Sequence, residues 1–123
     1  MTIGEAIAAL DAVRPSAYSR ETKIRWLSDL DGQIDAEILK THEGAAEPFA
    51  GYDGQTPEDR VLLSQKPYDK LYPAYLAAMV DYHNGEFSRH NNSLRKFEGA
   101  YQEYADWYNR THLPVGKGIK QPV

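Results

Sequence analysis

Apolar side chains recur every three or four residues in four stretches of the chain, which is the spacing of one face of an α-helix. The first helix is predicted for residues 2–13, because Thr2 and Glu5 have the spacing of a capping box. The second is predicted for residues 20–41 and follows Ser19, a favourable N-cap residue. Together these two helices account for the first third of the chain.

Two further stretches with helical spacing lie in the second half of the chain. The third predicted helix starts at Pro67, or near Asp69 so that Pro73 falls early enough to cost little hydrogen bonding, and it ends at Asn84–Gly85. A kink at Pro73 is the alternative. The fourth is predicted for residues 86–111. Its apolar positions alternate steps of three and four and form a heptad seam of Phe87, His90, Leu94, Phe97, Tyr101, Tyr104 and Tyr108. We therefore predict an all-α fold, a small bundle of about four helices.

The helical spacing is absent from residues 43–66, where glycine and proline accumulate. A long loop is predicted here, in which residues 60–64 are candidates for a short strand. The loop has five acidic and two basic residues, whereas the predicted extended tail, residues 112–123, has two lysines and no acidic residue. We therefore expect a helical domain over residues 1–111 and a tail of unlike charge that is suited to docking between neighbours.

The composition is that of one globular domain: 123 residues, of which 41% are apolar and 26% charged. The absence of cysteine excludes disulfides, thiolate nucleophiles, iron–sulfur clusters and cysteine-ligated zinc. The formal net charge of −4 argues against a general phosphate-backbone binder. No apolar run is long enough for a membrane helix, and Glu5 and Asp11 interrupt any signal-like segment, so we expect the chain to remain in the cytosol where it is made.

Few residues have the spacing of a catalytic or metal site. His83, Glu86 and His90 would share a helix face, but Asn84–Gly85 separates them, so packing or capping roles are favoured. His42 suits the C-terminal end of the second helix electrostatically. The acidic residues of that helix are favoured as its solvated face. The sequence predicts no enzyme, cofactor or metal site.

Gly32 lies in the middle of the second predicted helix, beside Asp31, where glycine costs about 1 kcal/mol relative to alanine. One explanation is the close approach of another helix. The other is a bend that directs the Asp31 carboxylate at a partner group. The sequence leaves both open.

The chain is rich in aromatic residues, with nine tyrosines, two tryptophans and three phenylalanines. We expect Tyr75, Tyr101 and Tyr104 to lie in the core. Tyr52, Trp107 and Tyr108 are expected at a partner surface, because Tyr and Trp combine an apolar ring with a polar edge.

Three stretches of the chain are familiar in combination: YSRETKIRWLSDLDGQI at 18–34, YDKLYPAYLAAMVDYHNGEFSRHNNS at 68–93, and AYQEYADWYNRTHLP at 100–114. They cover nearly half of the chain. Together they resemble the head-tail connector, or adaptor, proteins of long-tailed phages and prophages of Gram-positive bacteria. Pro73 departs from the pattern that the resemblance implies near the start of the third helix.

The resemblance implies a structural virion protein, made in the bacterial cytoplasm, that forms a ring at the head-tail junction. Such a ring, commonly a dodecamer, lies between the portal protein and the tail or a stopper protein, and DNA passes through it as cargo. Neither a cofactor nor a membrane is implied. The acidic charge of the chain agrees with a conduit that does not bind phosphates.

The resemblance also implies the roles of two groups of residues. The C-terminal segment would reach the portal, through His112, Leu113, Pro114, Val115, Lys117, Ile119 and Lys120. Loops and aromatic surfaces would meet neighbouring subunits, through Phe49, Tyr52, Leu62, Leu63, Trp107 and Tyr108. We expect the tail after Leu113 to be flexible in the isolated subunit and to order on assembly.

Two other functions stay open at this point. One is a helical protein-binding or regulatory module that dimerises through the seam of the fourth helix. The other is a small metal-dependent enzyme that uses His83, His90 and neighbouring acids.

Overall fold

The computed structural model describes residues 1–44 and 47–115, and within these ranges it contains four α-helices and no β-strand. The helices are α1 (Ile3–Val13), α2 (Arg20–Ile34), α3 (Leu71–His83) and α4 (Phe87–Thr111). A single π-helical turn, Asp35–Leu39, extends α2. The predicted all-α bundle of four helices is confirmed.

The first two helices begin where their caps predict. The Glu5 backbone N–H donates to Thr2 Oγ1 at 3.1 Å, and the Thr2 N–H donates to Glu5 Oε1 at 2.9 Å, which completes the capping box. At the start of α2, Ser19 Oγ accepts from the Thr22 N–H at 3.1 Å. Each cap satisfies backbone donors that have no partner inside the helix.

Helix α3 is the centre of the bundle and packs against α1, α2 and α4. It begins at Leu71, later than Pro67 or Asp69, so Pro73 falls within its first turn. A proline there loses no intrahelical hydrogen bond, which explains how the helix accommodates it. The fully buried side chains of the core include Ile3, Leu10, Ile24, Leu27, Leu30, Ile34, Leu71, Tyr72, Leu76 and Val80.

Helix α4 has 25 residues, which corresponds to about 37 Å, and lies along α3 after a turn at Gly85, whose φ is +75°. Ser93, Phe97, Ala100 and Tyr104 are its buried residues. Two residues of the heptad seam, Phe97 and Tyr104, are therefore buried within the chain, whereas Phe87 at its start is 61% exposed.

The long segment between the π turn and α3 is tied to the N-terminus of the chain. The Ile3 N–H donates to the Arg60 carbonyl at 3.0 Å, and the Leu62 N–H donates to the Met1 carbonyl at 3.0 Å. The strand expected at 60–64 is reduced to one isolated antiparallel bridge between Thr2 and Val61. Its partner segment enters α1 at Ile3, so the ladder cannot continue.

None of the helices in the described part of the chain combines the length and the apolar character that crossing a bilayer requires.

Candidate functional site

A cleft of about 240 Å³ lies at the end of the bundle where α4 finishes. Three parts of the chain form it: the C-terminal turns of α4, the π turn after α2, and the loop before α3. Its lining residues are Leu39, Leu63, Gln65, Lys66, Tyr104, Trp107, Tyr108 and His112. We call it the aromatic cleft. It brings together four residues that the sequence analysis assigned to partner surfaces: Leu63, Trp107, Tyr108 and His112.

The geometry of α4 places its aromatic residues in the cleft. Tyr104, Trp107 and Tyr108 are three and four residues apart and share one side of the helix. Tyr68 stacks on Trp107 with ring centroids 5.1 Å apart and holds the indole from the loop side. Beyond the helix end, the His112 ring lies on the Tyr108 ring, with centroids 3.7 Å apart. The cleft wall is therefore a packed group of aromatic rings.

The chain leaves the cleft as an extended segment that pairs with the residues after the π turn. The Glu43 N–H donates to the Leu113 carbonyl at 2.8 Å, and the Val115 N–H donates to the Thr41 carbonyl at 2.9 Å. The side chains of Leu113 and Val115 are nevertheless 69% and 54% exposed. The expectation of a flexible tail after Leu113 is therefore corrected for Pro114 and Val115, because their backbone is tied to 41–43.

His42 joins the end of α4 to the π turn from the other side. Its Nδ1 lies 2.6 Å from the Ile38 carbonyl oxygen and its Nε2 lies 2.7 Å from Asn109 Oδ1. The Tyr108 ring contacts the imidazole edge-on, with centroids 4.9 Å apart. The helix-end position predicted for His42 is thus found, and both ring nitrogens have partners.

Asp31 is the main polar group of the core, with no exposed surface. Its carboxylate accepts hydrogen bonds from the hydroxyls of Tyr52 and Tyr72, each at 2.6 Å, and from the Leu63 N–H at 3.1 Å. Burial raises the pKa of the Asp31 carboxyl above its ordinary value, and the three hydrogen bonds act in the opposite direction. This cluster fixes the loop that forms one wall of the aromatic cleft.

The two tyrosines of this cluster are held as hydrogen-bond donors. Burial is the main cause that raises the pKa of the Tyr52 and Tyr72 hydroxyls, and the nearby Asp31 carboxylate raises it further. The Tyr72 oxygen also accepts from the Ser64 N–H at 2.7 Å. The cluster is therefore an internal link that joins α2, the long loop and α3.

The two explanations for Gly32 can now be compared with the structure. A Cβ at Gly32 would lie 3.9 Å from the Phe49 ring, an ordinary contact with a loop residue and not the close approach of a helix. The Asp31 carboxylate does point at partners, the two tyrosines, but they lie within the chain.

The expected subunit-interface residues fall into two groups. Tyr52 and Leu62 are 8% and 1% exposed and belong to the core of this chain, which corrects their assignment to a surface. Tyr52 is drawn inward by its hydrogen bond to Asp31, and Leu62 by the pairing of its backbone with Met1. Phe49, Leu63, Trp107 and Tyr108 are only partly buried and keep some exposed surface.

The expected portal-binding residues lie beside the cleft as far as the structure describes them. His112 lines the cleft, and Leu113, Pro114 and Val115 continue from it on the surface. Lys117, Ile119 and Lys120 lie outside the described residues.

The histidines considered for metal binding have other contacts. His83 stacks on Trp26 with centroids 5.4 Å apart and planes 3° apart, and His90 Nδ1 lies 2.8 Å from the Ala78 carbonyl oxygen. They belong to different helices, because α3 ends at His83 and α4 begins at Phe87. Within residues 1–44 and 47–115, no group of three or more His, Asp or Glu side chains has the arrangement of a metal site.

Sequence reasoning missed the Asp31 cluster, although a signal was present. Asp31 is four residues after Leu27 and three before Ile34, so it lies on the apolar face of its helix, where a carboxylate needs internal donors.

Comparisons with protein-family models, with curated proteins and with solved structures give no significant match to this chain.

Proposed function

We propose that this chain is a non-enzymatic structural protein of a long-tailed phage, a head-tail connector subunit that forms a ring between portal and tail. The observation that carries the proposal is the surface segment after α4. Leu113 and Val115 expose apolar side chains while their backbone is tied to residues 41–43. Apolar side chains displayed at fixed positions are typical of sites that bind protein partners.

The aromatic cleft gives this segment an adjoining surface. Trp107, Tyr108 and His112 present aromatic rings with polar edges, a composition that is enriched at protein interfaces. In the proposed assembly the portal protein contacts the segment from His112 onward, including Lys117, Ile119 and Lys120. Leu63, Trp107 and Tyr108 contact either the portal or the next subunit.

The overall charge and the use of α4 support the same role. The net charge of −4 disfavours binding to the DNA that passes through such a ring. Phe97 and Tyr104 of the α4 seam are buried within the chain, which leaves less of the seam for the dimeric regulatory module expected as an alternative. A closed ring instead requires two different surfaces on each subunit.

The test is binding to purified portal rings of the same phage, observed by electron microscopy. The wild-type protein should decorate one end of the portal ring. The double variant Leu113→Ser, Val115→Ser should bind at least about tenfold more weakly, because it removes the exposed apolar side chains. Val61→Ser is the matched control, since Val61 is 50% exposed and does not line the cleft. Absence of wild-type binding, or equal binding by the double variant, would contradict the proposal.

A second measurement uses the phage itself. Deletion of the coding sequence from an inducible prophage should yield filled heads and separate tails that do not join. Intact infectious virions from the deletion strain would refute a connector role.

A further inference from the structure

A groove lies between α3 and α4 and is also lined by Val13 and Arg14 at the end of α1. It consists of two adjoining hollows of about 250 and 380 Å³, which share Ala74 and Lys96. Small or compact residues form its floor: Pro73, Ala74, Ala77, Gly99 and Ala100. We call it the α3–α4 groove. Its floor lets another backbone come close to both helices.

Gly99 lies in the groove and has no packing neighbour within the described part of the subunit. Glycine in a helix interior costs about 1 kcal/mol relative to alanine, so a packing reason is expected. A Cβ at Gly99 would meet no heavy atom of the described chain within 4 Å. The packing within the subunit therefore gives no reason for glycine at this position. A partner segment that lies on the groove floor would supply a reason for glycine at this position.

The rim of the groove is basic. It is lined by four basic residues, Arg14, Lys70, Arg95 and Lys96. Two acidic residues lie nearby: Glu103 on the rim, and Asp81, which is buried behind Arg14. Lys70 is paired with Glu103 at 3.3 Å. Arg95 and Lys96 form no ion pair with any other described residue. The occupant that fits this rim is an acidic segment.

The chain itself carries such a segment on other elements. Residues 53–59 contain three carboxylates, Asp53, Glu58 and Asp59, and no basic residue, and all three are exposed. This turn lies against α1 and α2: Glu58 approaches Gly4 and pairs with Arg20, and Gly54 lies beside Glu21. We call it the acidic turn. Because it contacts α1 and α2, it is a surface separate from the α3–α4 groove.

We propose that the α3–α4 groove binds the acidic turn of a second copy of this chain. Two copies joined groove to groove would bring the two basic rims together, so a two-fold contact through this surface is unfavourable. The contact is therefore heterologous, with the groove of one copy against the acidic turn of the next. This contact would join neighbouring subunits of the proposed ring, and the number of copies rests on that proposed function. The contact itself can be tested without a portal.

Sedimentation velocity on the purified full-length protein, over a range of concentrations at low ionic strength, tests the contact. The wild type should self-associate as its concentration rises, and salt should weaken the association. Gly99→Trp places a bulky ring in the groove from a position whose Cβ meets no described heavy atom within 4 Å, and it should weaken self-association by at least about tenfold. Asn91→Trp is the matched control, an exposed position about two turns earlier on α4 that lines neither hollow, and should associate like the wild type.

Charge exchange identifies the occupant. Lys96→Glu alone and Asp59→Lys alone should each weaken self-association about fivefold or more, and the double variant should recover most of the loss. A wild type that stays monomeric at every concentration, or a Gly99→Trp variant that associates normally, would overturn the proposal. Loss from both single variants without recovery in the double would exclude the acidic turn as the occupant. Portal binding with no self-association would refute the groove contact alone, whereas self-association without portal binding would refute the connector role alone.

Discussion

The imidazole of His112 lies flat on the phenol ring of Tyr108, with the planes 2° apart and the centroids 3.7 Å apart. This stack is the last contact before the chain turns to pair with residues 41–43. It determines the direction in which Leu113 and Val115 leave the bundle. The position of the proposed portal-binding segment therefore depends on an aromatic contact one turn inside α4.

Substituting His112 by alanine should loosen the paired segment without unfolding the bundle. Loss of the stack removes an aromatic contact of roughly 1 kcal/mol. Amide exchange at Glu43 and Val115, whose N–H groups make the pairing bonds, should become several times faster. His112→Phe keeps a flat ring and serves as the control. Unchanged exchange at both amides in His112→Ala would show that the stack does not hold the segment.

Asp31→Asn should destabilise the fold by about 2 kcal/mol, because a buried amide cannot accept all three hydrogen bonds that the carboxylate accepts. Chemical denaturation measures the loss. Asp29→Asn, an exposed carboxylate on the same helix, should change stability by less than about 0.5 kcal/mol. A loss at Asp31 no larger than at Asp29 would contradict the role of the cluster.

The difference in stability between the wild type and Asp31→Asn should depend on pH. Burial raises the folded-state pKa of Asp31 above its unfolded value. The folded state then binds the proton more tightly, so the contribution of this group is greatest in acid and is lost as pH rises through the folded pKa. The stability difference between wild type and Asp31→Asn should be larger at pH 5 than at pH 8. A difference that grows with rising pH would mean that the hydrogen bonds outweigh burial.

Two glycine substitutions should have opposite effects on the free energy of unfolding. Gly32→Ala should stabilise the protein by up to about 1 kcal/mol, because the added Cβ makes only an ordinary contact 3.9 Å from Phe49. Gly51→Ala should destabilise it by about 1–2 kcal/mol, because φ is +90° there and the Cβ would lie 3.2 Å from Ser28 Oγ. Thermal or chemical denaturation of both variants is the measurement. The same sign for both would contradict this description of the loop.

Arg14→Met should cost about 2 kcal/mol by leaving Asp81 without its cation. Arg14 Nε lies 2.9 Å from Asp81 Oδ1, and that carboxylate is 1% exposed. Removing one partner of a buried ion pair lowers the free energy of unfolding by more than the intact pair contributes to it. The partial exposure of Arg14 makes this loss smaller. Arg89→Met, at an exposed position near the start of α4, is the control and should be nearly neutral. Equal stability of the two variants would show that Asp81 does not depend on Arg14.

The helices could be predicted because their signals are local. Thr2, Glu5 and Ser19 are caps within a few residues of the groups they satisfy, and the seam of α4 is a periodic pattern within one element. The start of α3 was placed too early, since Pro67 and Pro73 both suit a first turn and only packing distinguishes them. The π turn after α2 had no local signal that we identified.

The candidate site was only partly predictable because it depends on contacts between distant segments. Trp107, Tyr108 and His112 were identified from their composition and position. The burial of Tyr52 and Leu62 was not, because it results from pairing with Asp31 and Met1, which are 21 and 61 residues away in the chain. A hydrophobic residue in a loop has the same sequence signature whether it faces the core or a partner.

The antiparallel bridge between His42 and Pro114 fixes the described end of the chain relative to the π turn. A protein that contacts Leu113 and Val115 would therefore meet them at the same height on every copy of this chain.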